Sequence, residues 1–330
     1  MTTKSENITT VEKPGSVHVI VNPAPSRRIP LLAILNQAFR DAGIHWDISI
    51  THGTGDGSDL ARKAVEGGAS VVAVYGGDGT VMEVAAGLIG TDIPLLILGG
   101  GTGNLVASEL RLPTQLERAC DLVCRESFLT RRIDVGMMGE RPFLLRIGCG
   151  IEVGVVQKAT RELKDQLGKL AYVKAGIEQL LEELLDVPEV EYEIILDGKE
   201  TIRGNGVACV VANAGTVGVG RLTLSRSVDV TDGRLDVFFL KKANLEAIGQ
   251  IVSRLTGLDQ IATKFTGLDW LRRDGEPVLD ESKAVSQWTV ETVEIRTNPV
   301  LDIQVDGDVV AKTPQLIRVL PAALRVVVPE

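Results

Sequence analysis

Between residues 71 and 110 the chain twice runs from a short apolar segment into a glycine-rich loop and then into a helix-like stretch. Val71 to Tyr75 leads into Gly76-Gly77-Asp78-Gly79-Thr80, and Pro94 to Leu98 leads into Gly99-Gly100-Gly101-Thr102-Gly103-Asn104. Few folds accommodate that unit repeated so closely. A strand that is apolar along its length is buried on both faces, and a short helix carrying the chain on to the next strand makes the sheet parallel. In such sheets ligands bind beyond the carboxyl ends of the strands, where both loops fall. Glycine has no Cβ, so backbone N–H groups in these loops can close on an anion. Two such loops on neighbouring strands predict a polyphosphate site, and Asp78 inside the first predicts a metal ion beside it.

The same alternation fills the first 130 residues. Val17 to Val21 reads as a strand ended by Asn22-Pro23, Leu31 to Ala42 as a helix, His45 to Ile50 as a strand, and Ser58 to Glu66 as a helix capped by Ser58 or Asp59. Helices over Thr80 to Leu88 and Gly103 to Leu110 complete a doubly wound α/β domain. From about Phe128 strand-like runs follow one another: Arg131 to Val135, Phe143 to Ile147, Val190 to Leu196, Gly206 to Val211 and Leu235 to Leu240. Asp197-Gly198, Asp232-Gly233 and Asp306-Gly307 read as hairpin turns, so this part is mainly antiparallel β. Two helical patterns interrupt it, Glu152 to Leu185 with a break at Gly168, and Leu245 to Leu255. The expected organisation is a polar leader over residues 1–14, an α/β domain over 15–130 joined by a returning segment 315–330, and a β domain over 131–314. At 330 residues the chain is long enough for two cores.

Composition narrows the function. A formal charge of −9 argues against non-specific nucleic-acid binding. Contact with an anionic membrane would need a local basic patch. The four cysteines have no paired metal spacing, the three histidines are scattered, and no apolar run reaches the ~18 residues of a membrane span. The leader lacks the apolar core of a signal peptide, which implies a cytoplasmic protein. There is no GxxxxGK[ST] lysine loop, no protein-kinase motif set and no dinucleotide-type glycine spacing.

The first loop admits two readings. In the functional one, the N–H groups of Gly77, Gly79 and Thr80 face phosphate oxygens, and Mg²⁺ bridges Asp78 to them. In the other it is a βα turn with a helix cap. Glu83 either orients the loop or a metal-bound water, or is a first-turn acid favoured by the helix dipole.

Val74 to Val84 followed by Gly101-Thr102-Gly103-Asn104 resembles the catalytic domain of the diacylglycerol kinase family, which includes soluble bacterial lipid kinases and sphingosine and ceramide kinases. Asn22-Pro23, Thr51, the Leu60-Ala61 helix, Gly168-Lys169-Leu170-Ala171-Tyr172, Asp232 to Val237, Gln304 to Asp308 and Leu320 to Val326 are similar to further family motifs, in the family's order. The resemblance implies a lipid kinase with an α/β nucleotide domain, a β-sandwich carrying the lipid site, and ATP in the interdomain cleft. It implies ATP contacts from Asn22, Thr51, Gly77, Asp78, Gly79, Thr80, Glu83, Gly101, Thr102, Gly103 and Asn104. It also implies a structural Mg²⁺ held by Asp232 with oxygens of Asp229 and Arg234, and Asp308, supported by Asp306, as general base. Its partners would be a lipid substrate met peripherally at the inner face of a membrane, and a second copy in a homodimer.

Two positions depart from the family pattern. After Asn22-Pro23 the chain continues Ala24-Pro25-Ser26-Arg27-Arg28 in place of a small glycine-containing turn, and Arg27 or Arg28 could reach a phosphate or stay on the surface. Where the family carries Asp-Gly-Glu, this chain has Asp306-Gly307-Asp308, one methylene shorter at its last residue. Either the cleft closes tighter, or Asp306 shares the role, or activity is low or directed at another acceptor. Leu268 to Gln287, with Trp270 beside Leu271, Arg272 and Arg273, reads as a surface insertion or as a lipid-facing flap. The alternatives to a lipid kinase are an NAD kinase-like enzyme and a weakly catalytic nucleotide- or lipid-binding regulator.

Overall fold

The computed structural model describes residues 8–24, 29–150, 188–217, 222–223, 225, 227–241, 285–306 and 308–330. The expectations for Arg27 and Arg28, the helices in 152–185 and 245–255, the Gly168 to Tyr172 motif, Trp270 and its neighbours, and Gly307 lie outside the described residues. Two compact units form. One comprises Met1–Leu145, Asp229–Arg234 and Val319–Glu330, the other Arg146–Val228 and Leu235–Arg318.

The first unit opens with Ile8–Glu12 (β1) and Ser16–Val21 (β2), then Leu31–Asp41 (α1), His45–Ile50 (β3), Asp56–Glu66 (α2), Val71–Gly76 (β4), Asp78–Leu88 (α3) and Leu95–Gly99 (β5). Leu105–Glu109 (α4), Leu116–Cys124 (α5), Ser127–Met138 (β6) and Arg141–Phe143 (β7) follow. β3, β2, β4 and β5 lie side by side in parallel register. Val17, Val19 and Val21 of β2, with Val71, Ala73 and Tyr75 of β4, pack with Leu35 and Phe39 of α1 and Ala119, Cys120 and Val123 of α5. The alternate residues Ile20, Val72 and Val74 are equally buried, and α2 and α3 pack together against β2 and β4. This is a doubly wound sheet, and β4, buried at all six residues, is its centre.

The second unit is a mainly antiparallel β-sandwich. It contains Arg146–Gly150 (β8), Val190–Leu196 (β9), Glu200–Gly206 (β10), Ala208–Ala212 (β11), Thr216–Val217 (β12), Leu222–Thr223 (β13) and Leu235–Leu240 (β14). Val285–Val290 (β15), Thr292–Asn298 (β16), Asp302–Val305 (β17) and Asp308–Lys312 (β18) complete it, and Gln315–Val328 (β19) begins in this unit and ends in the first. One sheet runs β15-β14-β11-β8-β17-β18, while β10, β9, β16 and the start of β19 pair in that order. The Tyr192 and Phe239 rings meet edge to face at 5.1 Å, joining β9 to β14 across the core. Asp197 and Gly198, at φ 50° and 64°, make the tight turn between β9 and β10 that the Asp-Gly pair predicts.

Several expectations change. The first unit extends to Leu145 rather than stopping near residue 130, because β6 pairs with β1, β7 and β19. The run from Phe143 to Ile147 is divided between β7 and β8. Asp232-Gly233 does not turn a hairpin, since Asp229–Arg234 belongs to the first unit and the next strand, β14, pairs with β11 and β15. α2 starts at Asp56, ahead of Ser58, because the Asp56 carboxylate accepts the His52 and Gly53 N–H groups at 2.7 and 2.8 Å. Those backbone hydrogen bonds also hold its pKa down.

Candidate active site

The two glycine loops of the first unit meet. Gly76 and Gly99 are neighbours in the β4–β5 ladder, and the Gly76 carbonyl accepts the N–H groups of Gly100 at 2.9 Å and Gly101 at 3.2 Å. A β-carbon on Gly101 would lie 2.5 Å from the Gly77 Cα, so only glycine lets the loops approach this closely. A second clamp closes the later loop on itself. Asn104, at φ 50°, accepts the Gly101 N–H on Oδ1 and donates Nδ2–H to the Gly101 carbonyl, both at 2.9 Å.

A cleft of about 340 Å³ opens there, lined by Asn22, Ala24, Tyr75, Gly76, Gly77, Gly79, Thr80, Gly100, Gly101 and Thr102. Its donors differ from the sequence expectation. The Gly100 and Gly101 amides are taken by Gly76 and Asn104. The N–H groups of Asp78, Gly79 and Thr80 open α3 and, by position, have no acceptor within the helix. The positive end of α3 is therefore the part of the cleft suited to an anion, and the later loop is its wall.

The acids stand behind this surface. Asp78 Oδ1 accepts the Val106 N–H at 3.0 Å, which caps α4 and ties it to α3. Glu83 Oε2 accepts the Gly57 N–H at 3.2 Å, tying α3 to the start of α2. Asn22 is equally engaged: its backbone N–H donates to Tyr75, its Nδ2–H to Thr80 Oγ1 at 2.9 Å, and its Oδ1 accepts the Ala24 N–H at 3.0 Å. Asn22 thus fixes the Thr80 hydroxyl from the end of the adjacent strand. Thr51 is buried, with its N–H donated to the Val21 carbonyl at 3.0 Å, and does not line the cleft. Nor do Gly103 and Asn104, although a β-carbon on Gly103 would sit 3.0 Å from Asp78 Oδ2.

Asp229–Arg234 forms a separate acidic loop in the first unit. Asp229 Oδ1 accepts the Thr231 N–H and hydroxyl at 3.1 and 2.7 Å, and Asp232 Oδ1 accepts the Arg234 N–H at 2.9 Å. Its anchor is Asp134, which the sequence reading missed. Asp134 accepts the Gly233 and Ala322 N–H groups, each at 2.7 Å, and its own N–H donates to Val230. Burial pushes its carboxyl upward, and nearby Asp229 adds to that. An isolated acid inside the strand-like run Arg131 to Val135 was the available signal. Among the described residues no three His, Cys, Asp or Glu side chains group as a metal centre.

In the second unit, Asp306 and Asp308 flank the turn between β17 and β18. Asp306, at φ 49°, accepts the Arg146 N–H on Oδ1 at 2.8 Å and returns its own N–H to the Arg146 carbonyl. Asp308 is exposed at the start of β18. Asp306 therefore shapes the turn that presents Asp308. Cys120, Cys124 and Cys209 are not nucleophile candidates. Burial pushes Cys120 up to about 12 and Cys124 up to about 11, and Cys209 is raised by its contact with Cys149 and by burial.

The diacylglycerol kinase catalytic domain family model matches residues 16–138, and that of the YegS C-terminal NAD kinase beta sandwich-like domain matches residues 146–263. The chain is 31% identical over 279 residues to a diacylglycerol kinase of Mycobacterium tuberculosis, covering 83% of this chain and 82% of that protein. It is 32% identical over 262 residues to an uncharacterised Synechocystis protein, covering 79% of this chain but only 55% of that longer relative. A crystal structure of a diacylglycerol kinase from Bacillus anthracis superposes with a TM-score of 0.69 at 20% identity, covering 96% of this chain and 98% of that one, a likeness of fold.

Proposed function

Since the chain belongs to the diacylglycerol kinase family of lipid kinases, phosphotransferases with an alcohol acceptor, we propose that it transfers the γ-phosphoryl group of ATP to the hydroxyl of diacylglycerol or a closely related lipid. The single observation that carries this reading is the cleft at the start of α3, where Gly79 and Thr80 of the first helical turn, whose N–H groups have no acceptor within the helix, line the same space as Gly76, Gly77, Gly100 and Gly101. Phosphoryl transfer asks mainly for positioning and charge neutralisation, and this surface offers both without a lysine loop.

Asn22 holds Thr80, Asp78 holds α4, and Glu83 holds α2, so the phosphate surface is preorganised by side chains that need not touch ATP. Asp308 takes the proton of the acceptor hydroxyl, and Asp306 fixes the turn before it. Mg²⁺ suits the Asp229–Arg234 loop in donor chemistry, since carboxylate and carbonyl oxygens are hard ligands. Two carboxylates fall short of a closed cage, so water would complete the shell. A second Mg²⁺ arriving with ATP would supply the charge neutralisation that the phosphates need.

A bilayer-resident acceptor makes the contact peripheral, at the inner face of the membrane. No described helix is long and apolar enough to cross one. Val309, 57% exposed beside Asp308, offers an apolar surface next to the base. Homodimer formation rests on the family resemblance alone.

The test is incubation with labelled ATP, Mg²⁺ and a total lipid extract, followed by identification of the labelled lipid. Asp308→Asn is expected to lower kcat by about 10²-fold or more, the scale of a general base, with ATP affinity unchanged. A near-normal kcat removes Asp308 from that role, and the absence of any labelled lipid removes the kinase reading.

A further inference from the structure

Tyr75 is the last full-sized side chain before the first glycine loop, and its hydroxyl is an anomaly in an otherwise apolar core. The residue is 3% exposed, and its ring packs with the valines of β2 and with α1 and α5. The hydroxyl is shielded from solvent and has no hydrogen-bond partner among the described residues. A phenylalanine would fill the same space without that defect, and a buried hydroxyl left unpaired is destabilising.

The ring tip lies directly under the second glycine loop. A β-carbon on Gly100 would fall 2.8 Å from Tyr75 Cζ, so the hydroxyl end of the ring and the Gly100 backbone are in contact. The Tyr75 carbonyl, at the other end of the residue, accepts the Asn22 N–H, and Tyr75 itself lines the cleft. The unpaired donor therefore sits at the junction of the two loops, covered by the segment that has least side-chain bulk to hold it in place.

We propose that the Tyr75 hydroxyl is a phosphate-sensing donor, giving its hydrogen to a phosphate oxygen of the nucleotide when the Gly99–Gly103 loop adjusts to the bound ligand. The inference rests on the nucleotide reading of the cleft. It adds a residue that the glycine motifs do not contain, and it assigns the discrimination to the phosphate chain rather than the base. A phenolic O–H facing an anionic oxygen makes a charge-assisted hydrogen bond.

The experiment compares the full chain with its Tyr75→Phe variant by calorimetric titration against ADP, inorganic tripolyphosphate and adenosine at fixed Mg²⁺, and measures Tm of each protein without ligand. Expected is a loss of about tenfold in affinity for ADP and for tripolyphosphate, in the range of a hydrogen bond to a charged group. Adenosine affinity should be unaltered, and the ligand-free Tm equal or higher. Unchanged affinity for both phosphate probes overturns the proposal. So does a lower ligand-free Tm, which would mean that the hydroxyl serves the free protein, and so does a loss confined to adenosine. If the unsubstituted chain binds neither ADP nor tripolyphosphate, the nucleotide reading itself falls.

Discussion

Asp134 is 2% exposed on β6, and both of its oxygens are spent on backbone N–H groups from distant parts of the first unit, Gly233 and Ala322. Ala322 stands at φ 50° in β19, a conformation an alanine adopts only when something holds it there. Removing the carboxylate leaves two part-buried donors without their acceptor, each costing up to about 1–3 kcal/mol. Asp134→Ala is therefore expected to lose about 2–5 kcal/mol by denaturant titration at pH 7. The pH dependence has a definite sign. Burial holds this carboxyl above its ordinary 3.8, so its contribution is fullest below that value and shrinks as pH rises through the folded pKa. The gap between the two proteins should widen as pH is lowered toward 4. A gap that narrows instead would show that hydrogen bonding to the charged form outweighs burial.

At the scale of elements, the phosphate surface depends on how closely α2 and α3 approach. Gly87 faces the Ser58 carbonyl and Ala61, and a β-carbon there would overlap the carbonyl oxygen. On the other helix, a β-carbon on Gly57 would lie 2.7 Å from Glu83 Cβ. Glycine inside a helix ordinarily costs about 1 kcal/mol relative to alanine. Here alanine is expected to be worse, because backbone must give way: Gly87→Ala should lower stability by about 1–3 kcal/mol and weaken ADP binding, since α3 carries the first loop. A stabilised Gly87→Ala variant would mean the helices can part without consequence. None of this spacing was legible in the sequence, where Gly87 is only a blemish in a helical pattern. The strands were legible where their signal is local. Val190–Leu196 and Leu235–Leu240 were read to the residue because every position is apolar or alternates. The loops were legible because glycine has few reasons to recur beside a strand. What the side chains of Asn22, Asp78 and Glu83 do was not legible, because their partners lie 58, 28 and 26 residues away. A family motif marks such residues as important without saying whether they touch ligand or hold the residues that do.

At the scale of the whole molecule, neither unit is a continuous piece of chain. The backbone passes between them after Leu145, Val228, Arg234 and Arg318. The apolar closing segment was readable as a strand returning to the first domain, but the six residues 229–234 were not, because nothing in their composition separates them from a surface turn. The interleaving has a mechanical consequence for the first unit. There, β19 pairs with β5 at Val326 and Leu95, next to the strand that ends in the second glycine loop. Leu324, Val326, Val327 and Val328 are all buried, and burying side chains of this kind is worth about 1.5–3 kcal/mol each. Most domains have only about 5–15 kcal/mol of net stability. A chain cut after Leu145 keeps both glycine loops and every residue of the cleft, yet it loses this strand, the Ala322 anchor of Asp134 and the Asp229–Arg234 loop together. Residues 1–145 alone should therefore show no cooperative thermal transition by circular dichroism and no ADP binding, although they contain the whole phosphate surface. Supplying β19 through a linker that rejoins residues 319–330 to Leu145 should restore the transition more fully than it restores phosphoryl transfer, because Asp308 remains absent. A cooperative, ADP-binding 1–145 fragment would show that β2 to β5 and their helices hold the cleft without the returning strand.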